Sequence, residues 1–137
     1  MRTLLVALLA VALAPAMAEA KSNKGSTLIR VANHGDDVLA VIVDNTAILD
    51  NASSSTLSAS SFFKAGGRLV GPGGITVFSV KSGTHDVTGA YILDFGSKFN
   101  IGADSSTTAT TTKNGQTVTV TATEAADGDA SLTSSSP

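Results

Sequence analysis

The sequence predicts an all-β fold, a single antiparallel β-sandwich of about seven strands. Three observations carry this reading. Polar and apolar residues alternate with a period of two, most plainly in Thr117-Val118-Thr119-Val120-Thr121-Ala122, which places Thr on one face of an extended chain and Val and Ala on the other. Turn residues recur about every ten positions between such stretches. Ser and Thr number 17 each among 137 residues, and the β-branched Thr, Val and Ile suit a pleated surface and resist helix. A small open barrel built from the same strands fits this periodicity equally.

The chain begins Met1-Arg2, runs without charge from Leu4 to Ala14, and continues Pro15-Ala16-Met17-Ala18-Glu19-Ala20. A positive start, a short apolar run and small residues at alternate positions predict a secretory signal peptide over residues 1–20, cleaved after Ala18 or Ala20. A spanning helix needs roughly 20 apolar residues, and Pro15 interrupts this run sooner. No membrane span is therefore expected after cleavage. The sequence has no cysteine, so a lipid anchor on a cysteine is not expected either. The expected location is secreted, periplasmic or at the cell surface, with the sandwich over residues 21–123 and a tail over 124–137.

The first expected strand is Thr27 to Asn33, in which Ile29, Val31 and Asn33 share one face. His34-Gly35-Asp36-Asp37 supplies turn chemistry, and the nearly all-apolar Val38 to Asp44 reads as a strand covered on both faces. The two together read as an antiparallel hairpin. Between Asn45 and Gly67 the rhythm fails. Ser, Ala and Thr dominate Asn51 to Ser61, and Phe62-Phe63-Lys64 precede Gly66-Gly67. This predicts a loop with one helical turn, anchored in the core by Phe62 or Phe63. Gly71-Pro72-Gly73-Gly74 launches a strand from Ile75 to Val80, and Lys81-Ser82-Gly83 turns into another from Thr84 to Leu93. Lys113-Asn114-Gly115-Gln116 then joins Ser106–Thr112 to Thr117–Thr123 as a hairpin. Glu124 to Pro137 is acidic and then Ser-rich, with Leu132 its only large apolar residue, so it is expected to be a disordered C-terminal tail.

Leu28-x-Arg30-Val31-x-Asn33 with Val38–Val43, Gly71-Pro72-Gly73-Gly74 with Val77-Phe78-x-Val80, Ser82-Gly83-Thr84-His85-x-Val87, and Gly115-Gln116-Thr117-Val118-Thr119-Val120 form a set. It resembles small extracytoplasmic Ig-like or transthyretin-like sandwich modules, over about Thr27 to Ala122. The resemblance implies the fold and an extracytoplasmic setting. Such modules generally carry no catalytic residues, so it implies no site.

Charge and chemistry narrow the function. Nine basic residues stand against 11 acidic ones, a net charge of −2. Cleavage after Ala18 removes only Arg2 from the charged residues and leaves 8 basic against 11 acidic ones, so neither nucleic acid nor anionic lipid is an expected partner. The absence of cysteine excludes disulfides, a thiol nucleophile and cysteine-ligated zinc. His34 and His85 are the only histidines, and no Gly-x-Ser-x-Gly elbow is present, so an enzyme is not expected. Nor is a cofactor: Gly71-Pro72-Gly73-Gly74 lacks the Lys-Ser or Lys-Thr of a phosphate cradle. Asp127-Gly128-Asp129 is too short to ring calcium. Tyr91 is the single Tyr, and the five Phe are needed in the core, which leaves few platforms for sugar stacking. Asn51-Ala52-Ser53 fits a glycosylation sequon. His34, Asp36 and Asp37 in one turn, with His85 in another, are the candidate metal ligands should the fold bring them together.

The expectation is an exported, noncatalytic interaction or structural module whose partner is a protein or cell-envelope component. Two alternatives stand beside it: a metal-binding protein using His34 and His85 with Asp36 and Asp37, and an envelope subunit that assembles through its edge strands.

Overall fold

In β1 (Thr27–Asn33) burial alternates residue by residue, with Ile29, Val31 and Asn33 on the inner face. The computed structural model describes residues 27–50, 56–96, 98–102 and 104–135. The expected signal peptide and the Asn51-Ala52-Ser53 sequon lie outside the described residues. After β1 come β2 (Val38–Val43), α1 (Ala47–Asp50), β3 (Thr56–Ser58), α2 (Ala59–Lys64), β4 (Arg68–Val70) and β5 (Ile75–Val80). β6 (Gly83–Asp94), β7 (Lys98–Ile101), β8 (Ser106–Thr112), β9 (Thr117–Glu124) and β10 (Ala130–Ser135) complete the order.

Two sheets form, as a sandwich requires. Sheet A runs β10-β9-β1-β5, and sheet B runs β3-β7-β6-β2-β4 with β8 paired to the first half of β6. All ladders are antiparallel except β1 with β9, which is parallel in the register Leu28 to Thr117 through Asn33 to Ala122. Ten strands are present among the described residues, where the sequence predicts about seven. The additional ones include the three-residue β3 and β4, too short to display an alternation.

The apolar character of β2 has the expected cause. Leu39 and Val41 face sheet A with Ile29, Val31, Phe78, Val87, Tyr91 and Val120. Val38, Ala40 and Ile42 face the other way, against Leu49, Leu57, Phe62, Ile92 and Phe99. Sheet B is thus buried on both sides, by sheet A and by α1 and α2. Phe62 anchors α2 with its side chain wholly buried. Ser58 caps α2 through its side-chain oxygen, and Gly66, at φ 95°, lets the chain leave. Gly67 is pressed so close to the Phe62 ring that an added Cβ would lie 2.3 Å from it.

Three expectations are corrected. β1 and β2 do not form a hairpin: they lie in different sheets, and His34-Gly35-Asp36-Asp37 carries the chain across the core. The turn at Asn114-Gly115 forms, with Gln116 N–H donating to Lys113 C=O at 3.0 Å and Gly115 at φ 76°. It too joins different sheets, delivering β8 to β6 and β9 to β1. The tail is not disordered through Ser135. β10 pairs with β9 from Ala130–Glu124 to Ser135–Thr119, and Leu132 is 6% exposed in the core between the sheets. A ladder along six residues and one buried leucine offset the ordering entropy that composition alone suggests is unmatched. The sandwich therefore extends beyond residue 123.

Side chains bridge both seams between the sheets. Leu132 N–H donates to Ser106 Oγ at 3.1 Å where β10 meets β8. Arg68 on β4 reaches β5, donating to the Val77 carbonyl and to Thr76 Oγ1 while its guanidinium stacks 4.3 Å from the Phe78 ring centre.

Candidate functional site

The chemistry-bearing side chains fall into three places. The first is the crossing after β1. Asn33 is completely buried. Its Nδ2 donates to the carbonyls of Asp37 and Val70 at 2.9 Å and of Gly71 at 3.2 Å. Its Oδ1 accepts from Gly35 N–H at 2.9 Å and from the Tyr91 hydroxyl at 2.8 Å. One amide thus fixes the His34–Asp37 turn, the end of β4 and the middle of β6. Glu124 holds the turn from outside, its Oε1 accepting from the N–H groups of Asp36 and Asp37 at 3.0 and 3.1 Å. Burial and the adjoining Asp37 carboxyl hold the Glu124 pKa above its ordinary value. Burial, reinforced by the nearby carboxylates of Glu124, Asp36 and Asp37, pushes the Tyr91 phenol up to about 12. The arrangement positions backbone and leaves Tyr91 a hydrogen-bond donor at physiological pH.

The second place is the other end of β2. His85 Nδ1 lies 2.6 Å from Asp44 Oδ2, and Nε2 lies 2.7 Å from the Lys81 carbonyl. Asp44 Oδ1 accepts from Asp86 N–H at 3.1 Å, and Asp44 N–H donates to the Asp86 carbonyl at 2.8 Å. Asp44 sits at φ 67°, a left-handed conformation that Asp tolerates better than most residues. A carboxylate and a carbonyl both only accept, so both ring nitrogens are best used as donors, which is the imidazolium form. The Asp44 hydrogen bond accordingly raises the His85 pKa above 6.5 against the opposing effect of burial.

His34, Asp36 and Asp37 stand at one end of β2, and His85 stands at the other. Six residues of strand, roughly 20 Å at the usual rise, keep the two histidines apart. The fold does not bring the candidate metal ligands together. Among the described residues no group of three His, Asp or Glu side chains is placed to hold a metal ion. Asp127, Gly128 and Asp129 instead turn the chain from β9 into β10, with Asp129 N–H donating to Asp127 Oδ1 at 3.1 Å.

The third place is the outer face of sheet A. Register puts Thr117, Thr119, Thr121 and Thr123 of β9 in line with Ser131, Thr133 and Ser135 of β10 on one side, and with Leu28, Arg30 and Ala32 of β1 on the other. Ile75, Val77 and Ser79 of β5 complete the face. One row across the sheet reads Ser135, Thr119, Arg30, Val77. Arg30 is the single charged residue on this face. Its Nε is buried without a hydrogen-bond partner. The sequence hides Arg30 because its neighbours in the alternation, Leu28 and Ala32, give that side of β1 no polar pattern.

No family model matches the chain, and no curated protein matches it. Solved structures to which the chain is similar include the N-terminal domain of AlgF from P. aeruginosa, at 18% identity over 84% of this chain and 98% of that one, with a TM-score of 0.42. A protein from Eubacterium rectale gives 15% identity over 83% and 92%, with a TM-score of 0.48. The type VI secretion (T6SS) lipoprotein TssJ1 from Pseudomonas aeruginosa gives 12% identity over 84% and 99%, with a TM-score of 0.39. The two-sheet architecture itself defines the class, an all-β sandwich. Among the described residues no helix is long and apolar enough to cross a membrane.

Proposed function

We propose that the chain is an exported, noncatalytic interaction module that presents the outer face of sheet A to a component of the cell envelope or its surroundings. The observation that carries this reading is the register itself. Seven hydroxyl side chains on β9 and β10 are aligned on one surface, the outer face of sheet A. The signal-peptide pattern at Met1 to Ala20 supports the setting. Polymerisation through strand edges draws little support from the architecture. β3 and β4 are three residues long, the Val77 carbonyl on β5 is occupied by Arg68, and β10 lies against β8. Metal binding through His34 and His85 draws none from their separation.

Two measurements test the reading. Expression of the full chain should yield an extracytoplasmic product beginning at Glu19 or Lys21. A variant carrying Thr119→Glu and Thr121→Glu should keep the wild-type circular dichroism spectrum and lose association with isolated envelope material. Retention in the cytoplasm, or equal association of both proteins, would count against it.

A further inference from the structure

We infer that Arg30 is a binding point for a single oxyanion, a carboxylate or a phosphate group, on the outer face of sheet A. The inference deepens the function proposed above and rests on that face being the one presented.

The two arginines among the described residues converge on Val77. Arg30 is its cross-strand neighbour on β1, and Arg68 donates to its carbonyl from β4. They differ in what occupies them. Arg68 has acceptors in Val77 and Thr76 and an aromatic face in Phe78. Arg30 has no ion pair among the described residues, and its Nε lacks any acceptor. Folded proteins leave few buried donors unmatched, because each gives up its hydrogen bond to water and gains none in return.

What surrounds Arg30 matches an anion. The described acidic residues lie in turns, at strand ends or elsewhere in sheet B, and none shares this face: Asp36, Asp37 and Glu124 gather at the β1–β2 crossing, while Asp44 and Asp86 flank His85. The guanidinium therefore competes with no neighbouring carboxylate across its own sheet. Thr119 stands beside it on β9, about 4.8 Å away across the ladder, with Thr117 and Thr121 on the diagonals. A planar fork of N–H donors with hydroxyls alongside suits the two oxygens of a carboxylate or two of a phosphate. The half-buried side chain needs a rotation to turn Nε toward such a ligand, and the ligand then supplies the acceptor that the fold does not.

The test is a titration of the purified domain, observed by two-dimensional NMR that includes the Arg30 Nε–H signal. Sodium acetate, inorganic phosphate and sodium chloride at matched ionic strength are the three probes. Saturable shifts centred on Arg30 and Thr119 with acetate, phosphate or both are expected, and the stronger probe identifies the oxyanion. Arg30→Gln should weaken binding roughly tenfold or more, with Arg30→Lys intermediate because an ammonium lacks the fork. No saturable shift with either oxyanion, an equal response to chloride, or an unchanged response in Arg30→Gln would overturn the inference. Should Arg30→Gln misfold, the wild-type Nε–H signal alone decides. A negative titration leaves the envelope-association result standing, whereas failure of that association with a positive titration sinks only the broader reading.

Discussion

The Tyr91 hydroxyl donates to Asn33 Oδ1 at 2.8 Å across the interior, tying the middle of β6 in sheet B to the end of β1 in sheet A. Both residues are fully buried. A hydrogen bond there is protected from water, and the other Asn33 contacts leave the amide no freedom to flip. The amide nitrogen faces three carbonyls, which fixes which end is nitrogen.

Asn33→Asp is therefore the sharpest perturbation available. It sets a carboxylate oxygen against three carbonyl oxygens in a buried site, and it should cost about 3 kcal/mol or more. Tyr91→Phe removes one donor while Gly35 N–H still satisfies Oδ1, and it should cost only about 1 kcal/mol. Urea unfolding of the two variants checks the order, and equal losses would contradict the assigned orientation.

Gly35 has no room for a side chain. An added Cβ would lie 2.6 Å from both Cζ and Oη of Tyr91. Gly35→Ala should lower stability by about 1–3 kcal/mol. Adding Tyr91→Phe should restore little, because the ring carbon remains in the way. Thermal unfolding of the single and double variants measures this, and full recovery in the double variant would place the clash on the hydroxyl alone.

Stability should depend on pH through His85. Its pKa is raised in the folded protein, so its contribution is complete below pH 6.5 and disappears as pH rises through the higher folded value. Glu124, also raised, acts in the same direction at lower pH: its contribution is complete below about 4.5 and lost above its native pKa. Asp44→Asn keeps an acceptor for Asp86 N–H and tolerates the left-handed backbone, but removes the charge facing His85. With Asp44 half exposed, the pair should contribute no more than about 0.5 kcal/mol. Urea midpoints near neutrality and at about pH 8.5 should differ in the wild type and converge in Asp44→Asn. An unchanged pH slope in the variant would show the dependence to arise elsewhere.

Leu132→Ala should cost about 2–4 kcal/mol, since the side chain fills the core between the sheets. Removal of residues 130–137 should cost at least as much. Differential scanning calorimetry distinguishes this from a dispensable tail, whose loss would leave Tm unchanged.

The strands themselves were legible because alternation is a local property: β1, β5, β9 and the doubly covered β2 all announce themselves through side-chain periodicity. Their partners were not. A glycine at positive φ reverses the chain at Gly115 but does not choose between a neighbour in the same sheet and one in the other. Asn33 left a readable trace, since it continues the inward face of Ile29 and Val31, and a polar residue there must find partners. Glu124 and Leu132 were obscured by the acidic and Ser-rich composition around them. His85 was visible as a titratable residue, but its partner Asp44 lies 41 positions away in the chain, and only the pairing of β2 with β6 brings the two together.

The parallel pairing of β1 with β9 makes the earliest described strand wait for one of the last. Until residues near Thr117 to Ala122 arrive, β1 has β5 on one flank and open backbone on the other. A polypeptide emerging from its N-terminus, whether from a ribosome or through a translocation channel, thus cannot close its central ladder early. Such delayed closure favours slow, late-committing maturation and keeps the chain threadable until most of it has passed.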